Sequence, residues 1–257
     1  MEEISKEHTR YVNFKTCPIC DCKCIKKVDA HLIECMNCSH RFRDYFVGTE
    51  KYRTYRSSAH GRVMGHLEPT KIAAEIRIKL LDAFGKKGSV LEIGSAHKYF
   101  LDELIRHGYH GEGTELSELL VKEIPYTMYL GEPSEIPNIK TYDNICAFHV
   151  LEHMNEPLKE ISYLVNHMSD DGVMILELPT LIFRGLFVDD SIFEEALHTN
   201  FFTQTSLNIF AKNCGLKIAM QINYRDIYGN SITTICCVKE SRDDKKIVEQ
   251  VLSYLNR

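Results

Sequence analysis

With 257 residues, 44% of them hydrophobic, 26% charged and a net charge of −5, the chain has the make-up of an ordinary globular protein with one sizeable core and a small appendage. The acidic balance argues against a polyanion as its general partner, and no apolar run is long enough to span a membrane. Met1 to Lys6 is acidic and lacks the apolar segment of a secretory leader, so a cytoplasmic location with reduced cysteines is expected.

Six of the ten cysteines fall within residues 17–38. Cys17-Pro18-Ile19-Cys20 and Cys35-Met36-Asn37-Cys38 form two Cys-x-x-Cys knuckles separated by fourteen residues. That spacing predicts a zinc ribbon over residues 1–48, in which two tight turns face each other and close a tetrahedron of four thiolates. A closed set of four sulfurs makes the zinc structural, with Cys17, Cys20, Cys35 and Cys38 as ligands, and a module this small draws its folding energy from the metal. Cys22 and Cys24 are spare, read as strand thiols beside the knuckle.

Residues 49–85 read as a basic linker and helix. Between residues 41 and 66 six Lys or Arg face two acids, a local +4. With Tyr45, Tyr52 and Tyr55 interleaved, this stretch suits phosphate and base contacts, in RNA or in a nucleotide-linked small molecule, or else a solvated linker. Thr70 to Phe84 then places Ile72, Ala73, Ile76, Leu80 and Leu81 at helical spacing.

Ser89 to Leu104 packs a buried strand, a turn at Gly94 and a helix start into sixteen residues, the arrangement of a nucleotide-type cofactor site. Glu115, 21 residues after Gly94, ends the next strand where such folds place the carboxylate that accepts hydrogen bonds from a ribose. Neither a Gly-x-Gly-x-x-Gly nor a Gly-Lys-Ser/Thr phosphate cradle is present, which disfavours NAD and ATP. Further on, strands are predicted at Tyr109 to Glu115, Thr127 to Leu130, Asp143 to Phe148 and Gly172 to Pro179. Helices are predicted at Leu101 to His107, Leu116 to Lys122, Leu158 to Met168 and Phe202 to Cys214. A hairpin of Leu216 to Tyr224 and Ser231 to Lys239, joined at Gly229-Asn230, closes a mixed, mostly parallel sheet.

Glu92-x-Gly94-x-Ala96-x-Lys98, then Glu115, then Asp143-Asn144-Ile145-Cys146-Ala147-Phe148-His149-Val150-Leu151-Glu152-His153, resembles a class I S-adenosylmethionine-dependent methyltransferase over residues 86–240. The resemblance implies an α/β, Rossmann-like fold with a seven-stranded sheet in the order 3-2-1-4-5-7-6 and its last strand antiparallel. It also implies S-adenosylmethionine as cofactor, with Glu92, Gly94, Ala96, Lys98 and Glu115 at the turn and Glu132 near the adenine amino group. The family's second and third glycines are Ala96 and Lys98 here. The added methyl of Ala96 is easily accommodated, and the Lys98 ammonium either pairs with the methionyl carboxylate or faces solvent.

His149 follows the fourth strand, where donor and acceptor meet in this fold. If Val150 to His153 open a helix, His149 and His153 share one side of it, and an imidazole there can take a proton as the methyl arrives. Alternatively, His149 lines the sulfonium pocket and His153 bonds a backbone carbonyl. His198-Thr199-Asn200-Phe201-Phe202-Thr203 resembles a segment of the small-molecule branch, with His198 a further candidate base, Phe201 and Phe202 walling the acceptor pocket, and Thr203 or Thr205 a helix cap.

The apolar insertion Leu181 to Leu197 is read as a lid or a homodimer contact, and residues 241–257 as a docking or oligomer helix. Sugar C-methyltransferases resemble this chain in joining a zinc module to such a domain, but they continue into a further domain that has no counterpart after Ser241 to Arg257. Methyl transfer to a small polar acceptor, a nucleotide-linked sugar or a phosphorylated metabolite, is the expected function. A zinc-ribbon ribosomal RNA base methyltransferase and a non-catalytic binding module of this fold are the alternatives.

Overall fold

The structure is a computed structural model, and it describes residues 9–48, 67–181, 197–226 and 230–243, together with 249 and 253. Most of the basic linker, the insertion and the C-terminal helix expected from the sequence lie outside the described residues. No described helix is long and apolar enough to cross a membrane.

The N-terminal module is a set of short strands: β1 (Thr9–Tyr11), β2 (Ile25–Lys27), β3 (Leu32–Cys35), β4 (Arg41–Arg43) and β5 (Tyr45–Val47). β2, β3 and β4 pair antiparallel, and β1 pairs with β5. After α1 (Leu67–Phe84) the chain alternates: β6 (Ser89–Ile93), α2 (Tyr99–Arg106), β7 (His110–Glu115), α3 (Glu118–Glu123), β8 (Met128–Leu130), β9 (Tyr142–Phe148), α4 (Pro157–Asn166) and β10 (Met168–Pro179). There follow β11 (Asn200–Phe201), α5 (Gln204–Asn213) and the hairpin of β12 (Leu216–Arg225) and β13 (Ser231–Lys239).

The main sheet runs β8-β7-β6-β9-β10-β13-β12. β6 to β10 are parallel, and β13 is antiparallel to both neighbours. This is the expected order 3-2-1-4-5-7-6, a Rossmann-like methyltransferase sheet. Its central strands read as continuous apolar runs because both faces are covered: Val90, Leu91, Ile145, Ala147, Ile175 and Leu176 are all fully buried.

The ribbon belongs to the same body as the sheet. β11, a strand of two residues, pairs antiparallel with β4, Asn200 opposite Phe42 and Phe201 opposite Arg41. One apolar core runs from Ile19 and Phe42 of the ribbon through Phe202 and Phe210 to Leu176 and Ile235 of the sheet. Phe202, expected on the wall of an acceptor pocket, is instead buried in this core, because the short strand turns its ring beneath the ribbon.

Candidate functional site

In the ribbon, the four knuckle cysteines converge. Cys17 and Cys38 Sγ lie 3.7 Å apart and Cys20 and Cys35 Sγ 3.5 Å, and all four sulfurs lie within 4.8 Å of one another. Sulfurs at tetrahedral positions around zinc, ~2.3 Å from the metal, stand about 3.8 Å apart, so this donor set fits the ion. The Ile19 N–H donates to Cys17 Sγ (3.4 Å) and the Asn37 amide to Cys20 Sγ (3.6 Å), as thiolate ligands require. Cys22 and Cys24 stay outside the cluster, in the loop before β2 rather than in a strand.

At the carboxyl end of β6 the chain makes the expected turn. Gly94 has φ +67°, and a Cβ there would stand 2.8 Å from Val150 Cγ2, so the turn passes against the segment after β9 with no room for a side chain. Ala96 also adopts a left-handed conformation, φ +44°. Its methyl therefore carries a backbone cost where glycine would carry none, about 1–2 kcal/mol. What holds it is Glu115: Oε2 accepts from the Ala96 N–H (3.0 Å), and Oε1 from the N–H groups of Leu116 (2.8 Å) and Ser117 (3.1 Å).

Glu115 thus stands at the strand tip assigned to it, but three backbone donors already occupy its carboxylate, which clamps β7 to the turn. Lys98 follows the turn at the start of α2, its Nζ paired with Asp102 (2.7 Å) one helical turn along. Glu92 is buried, with Oε2 accepting no hydrogen bond. Burial, with Glu115 adding to it, pushes its carboxyl up to about 8. Glu132 sits just past β8, and burial together with the acids Glu160 and Glu135 raises it to about 7.

The His149 segment differs from expectation in its backbone. Residues 151–153 form a turn, α4 begins only at Pro157, and His149 itself takes a left-handed conformation (φ +56°). Its N–H donates to the Glu177 carbonyl (2.7 Å). The ring then sits between two acids, Nδ1 3.4 Å from Glu152 Oε1 and Nε2 3.4 Å from Glu177 Oε1. Burial alone would lower its pKa, yet the two carboxylates raise it to about 9, so His149 is an imidazolium at neutral pH.

Glu177 is shared: Arg77 from α1 donates to it through Nε (3.0 Å) and Nη2, and the Thr234 hydroxyl donates to its other oxygen (3.0 Å). The Arg77 guanidinium also covers the Phe148 ring, 4.3 Å from its centroid. Arg77 and Glu177 were not singled out in the sequence. The signals available were a single acid inside the apolar strand of residues 173–178 and an arginine on the apolar face of α1.

His153 and His198 come together beyond Glu152. Their ring centroids are 4.7 Å apart, and one Glu152 oxygen with one ring nitrogen of each histidine forms a group within 4.8 Å. His153 Nδ1 lies 3.2 Å from the Leu197 carbonyl. The segments are stitched by the N–H groups of Thr199 and Asn200, both donating to the Glu152 carbonyl (2.8 and 3.1 Å), and by the Asn200 amide on the Met154 carbonyl (2.6 Å). The three candidate histidines thus meet around one buried acid at the carboxyl ends of β9 and β10.

A family model described as a methyltransferase domain matches residues 64–221. The chain belongs to the methyltransferase domain family. Solved structures agree with the assignment of this methyltransferase in fold. A 1,6-didemethyltoxoflavin-N1-methyltransferase from Burkholderia thailandensis, solved with its acceptor and S-adenosylhomocysteine, superposes with a TM-score of 0.60 at 14% identity, covering 84% of this chain and 98% of its own. Magnesium protoporphyrin IX methyltransferase from Synechocystis PCC 6803 gives 0.56 at 13% identity, covering 74% and 98%. An S-adenosylmethionine-dependent methyltransferase from Clostridium acetobutylicum gives 0.51 at 10% identity, covering 73% and 99%. No curated protein matches in sequence. The class I resemblance is borne out at the level of domain and fold, whereas nothing among these matches singles out the sugar-carbon branch.

Proposed function

We propose that this methyltransferase moves a methyl group from S-adenosylmethionine to a small polar acceptor, a nucleotide-linked sugar or a phosphorylated metabolite, held at the carboxyl ends of β9 and β10. The observation that carries the reading is the turn from Glu92 to Ala96: a left-handed glycine pressed on Val150, with the unpartnered, buried Glu92 oxygen beside it. A buried carboxyl oxygen without a partner is costly to leave in that state, and a polar ligand that hydrogen-bonds to it relieves the cost. Bound there, S-adenosylmethionine supplies an electrophilic methyl on a sulfonium, open to in-line displacement.

The chain's own residues do the rest. The Gly94 turn lets a ligand approach the backbone, Glu132 faces the adenine amino group, and Glu115 keeps the turn in shape through the Ala96 N–H. Lys98, whose ammonium pairs with Asp102 in an exposed bridge, is proposed either to reach the methionyl carboxylate or to face solvent. His149, with each ring nitrogen facing a carboxylate, carries its proton already and acts as a fixed positive group at the mouth. Removal of the acceptor proton falls to the Glu152, His153 and His198 cluster. Alignment of donor and acceptor supplies most of the acceleration in such a transfer.

The ribbon, residues 1–48, is proposed to hold one structural zinc at Cys17, Cys20, Cys35 and Cys38. Through β4 it supports the strand that carries His198 toward the site. The test is mass-spectrometric: purified protein, S-adenosylmethionine and a panel of nucleotide sugars and phosphorylated metabolites are expected to yield one product heavier by a methyl group. Absence of any methylated product, with the cofactor demonstrably bound, would favour the non-catalytic module instead.

A further inference from the structure

We propose that Glu152, His153 and His198 form a second metal site, distinct from the ribbon, that takes a zinc-like divalent cation at the acceptor side of the mouth. The inference rests on the methyl-transfer reading only for what the metal would do there, not for whether it binds. Two imidazoles and one carboxylate are the donor set of open, catalytic-type zinc centres, in which remaining positions accept water or a substrate oxygen.

Three observations converge on it. First, the donor atoms lie within 4.8 Å of one another. Ligands ~2.1 Å from a tetrahedral zinc stand about 3.4 Å apart, so modest side-chain rotation closes the set. Second, Glu152 is 1% exposed, and its Oε2 accepts no hydrogen bond although Oε1 faces His149. A fully buried carboxylate oxygen without a donor is costly, and a cation reaching it relieves that cost. Third, His153 Nδ1 lies 3.2 Å from the Leu197 carbonyl, the kind of outer contact that orients the ring of a ligating histidine.

The scaffold is preorganised for such a site. Both ligand-bearing segments are tied by backbone hydrogen bonds from Thr199 and Asn200 to Glu152, and His198 is itself 9% exposed. His149 and Glu177 extend the acid–base chain on the far side of Glu152, so the carboxylate is oriented from behind. A cation here would hold an acceptor oxygen and favour its ionised form, the acceptor proton passing to solvent water rather than to a ligating histidine.

The full chain, loaded with zinc and then dialysed, is expected to retain two zinc ions per molecule by elemental analysis, and His198→Ala and Glu152→Gln one each. Cobalt added to the zinc-ribbon protein is expected to give weak visible absorption without the thiolate charge-transfer band, lost in either variant. Retention of a single zinc by the unsubstituted chain, with no nitrogen–oxygen cobalt spectrum, would overturn the site, and so would two ions in both variants. That count on the unsubstituted chain decides the matter even if His198→Ala fails to fold. Calorimetry with S-adenosylhomocysteine separates the two readings. Cofactor binding to a one-zinc protein overturns the second site alone, whereas two zinc ions without cofactor binding overturn methyl transfer and leave the site standing.

Discussion

The hydroxyl of Thr203 donates to the carbonyl of Cys38, 3.1 Å away and 165 positions earlier in the chain. Thr203 also caps α5, accepting from the Ser206 N–H while Ser206 Oγ accepts from its own N–H. One side chain therefore joins a knuckle cysteine to the helix that follows the His198 segment. Asn213 adds a second tie, its amide on the Ile19 carbonyl (2.8 Å). Cys35→Ser is expected to lower the melting temperature and to raise hydrogen exchange at residues 198–203 before exchange rises in β6 and β9. Exchange that rises first in the central strands would mean the ribbon does not brace the site.

Arg77 is one of two cations beside Glu177, His149 being the other. Removing Arg77 leaves the buried carboxylate with His149 alone, and Arg77→Met is expected to cost up to about 3–5 kcal/mol in denaturant unfolding. Adding Glu177→Gln should recover part of that loss. Equal destabilisation in the single and double variants would show that the pair contributes only packing.

Ala96 holds a left-handed backbone that glycine adopts freely. Ala96→Gly is expected to stabilise the folded protein by about 0.5–1 kcal/mol, the relief of strain being offset in part by the freer unfolded chain. Thermal or urea unfolding reads this directly. A loss of stability would show that the methyl packs usefully.

Glu92 contributes to the pH dependence near neutrality together with Glu132 and His149, which are also raised. Its carboxyl is raised to about 8 in the folded protein against an ordinary value of 4.5. The folded state therefore binds the proton more tightly than the unfolded one. Its contribution is fully present below pH 4.5 and is lost as pH rises through about 8. Unfolding free energy of the cofactor-free protein should fall across that window, and Glu92→Gln should reduce the slope by the share that Glu92 contributes. Glu177 behaves in the opposite sense: Arg77 and His149 overcome its burial and depress it, so its contribution is lost as pH falls.

Much of this architecture was legible because its signals are local. Apolar runs such as Val90 to Ile93 fix buried strands, Gly94 fixes a turn, and two Cys-x-x-Cys pairs fix the converging sulfurs. What escaped was long-range or too short to show a period. β11 is two residues, so its pairing with β4, and with it the burial of Phe202, had no pattern to announce it. Lys98 and Glu115 were placed by motif and spacing, but their partners, Asp102 for the one and the N–H groups of Ala96, Leu116 and Ser117 for the other, depend on backbone geometry. The helix expected from Val150 begins only at Pro157, after a turn at residues 151–153. Arg77 and Glu177 lie 100 positions apart, and only the packing of α1 over β10 makes them a pair.

The most direct test is titration calorimetry of the full chain with S-adenosylmethionine and S-adenosylhomocysteine, on the unsubstituted protein and on Gly94→Ala. A Cβ at position 94 meets Val150 at 2.8 Å and strains a φ of +67°. The account predicts one cofactor per chain, with affinity reduced about tenfold or more in the variant. No binding to the unsubstituted protein at millimolar cofactor would contradict it.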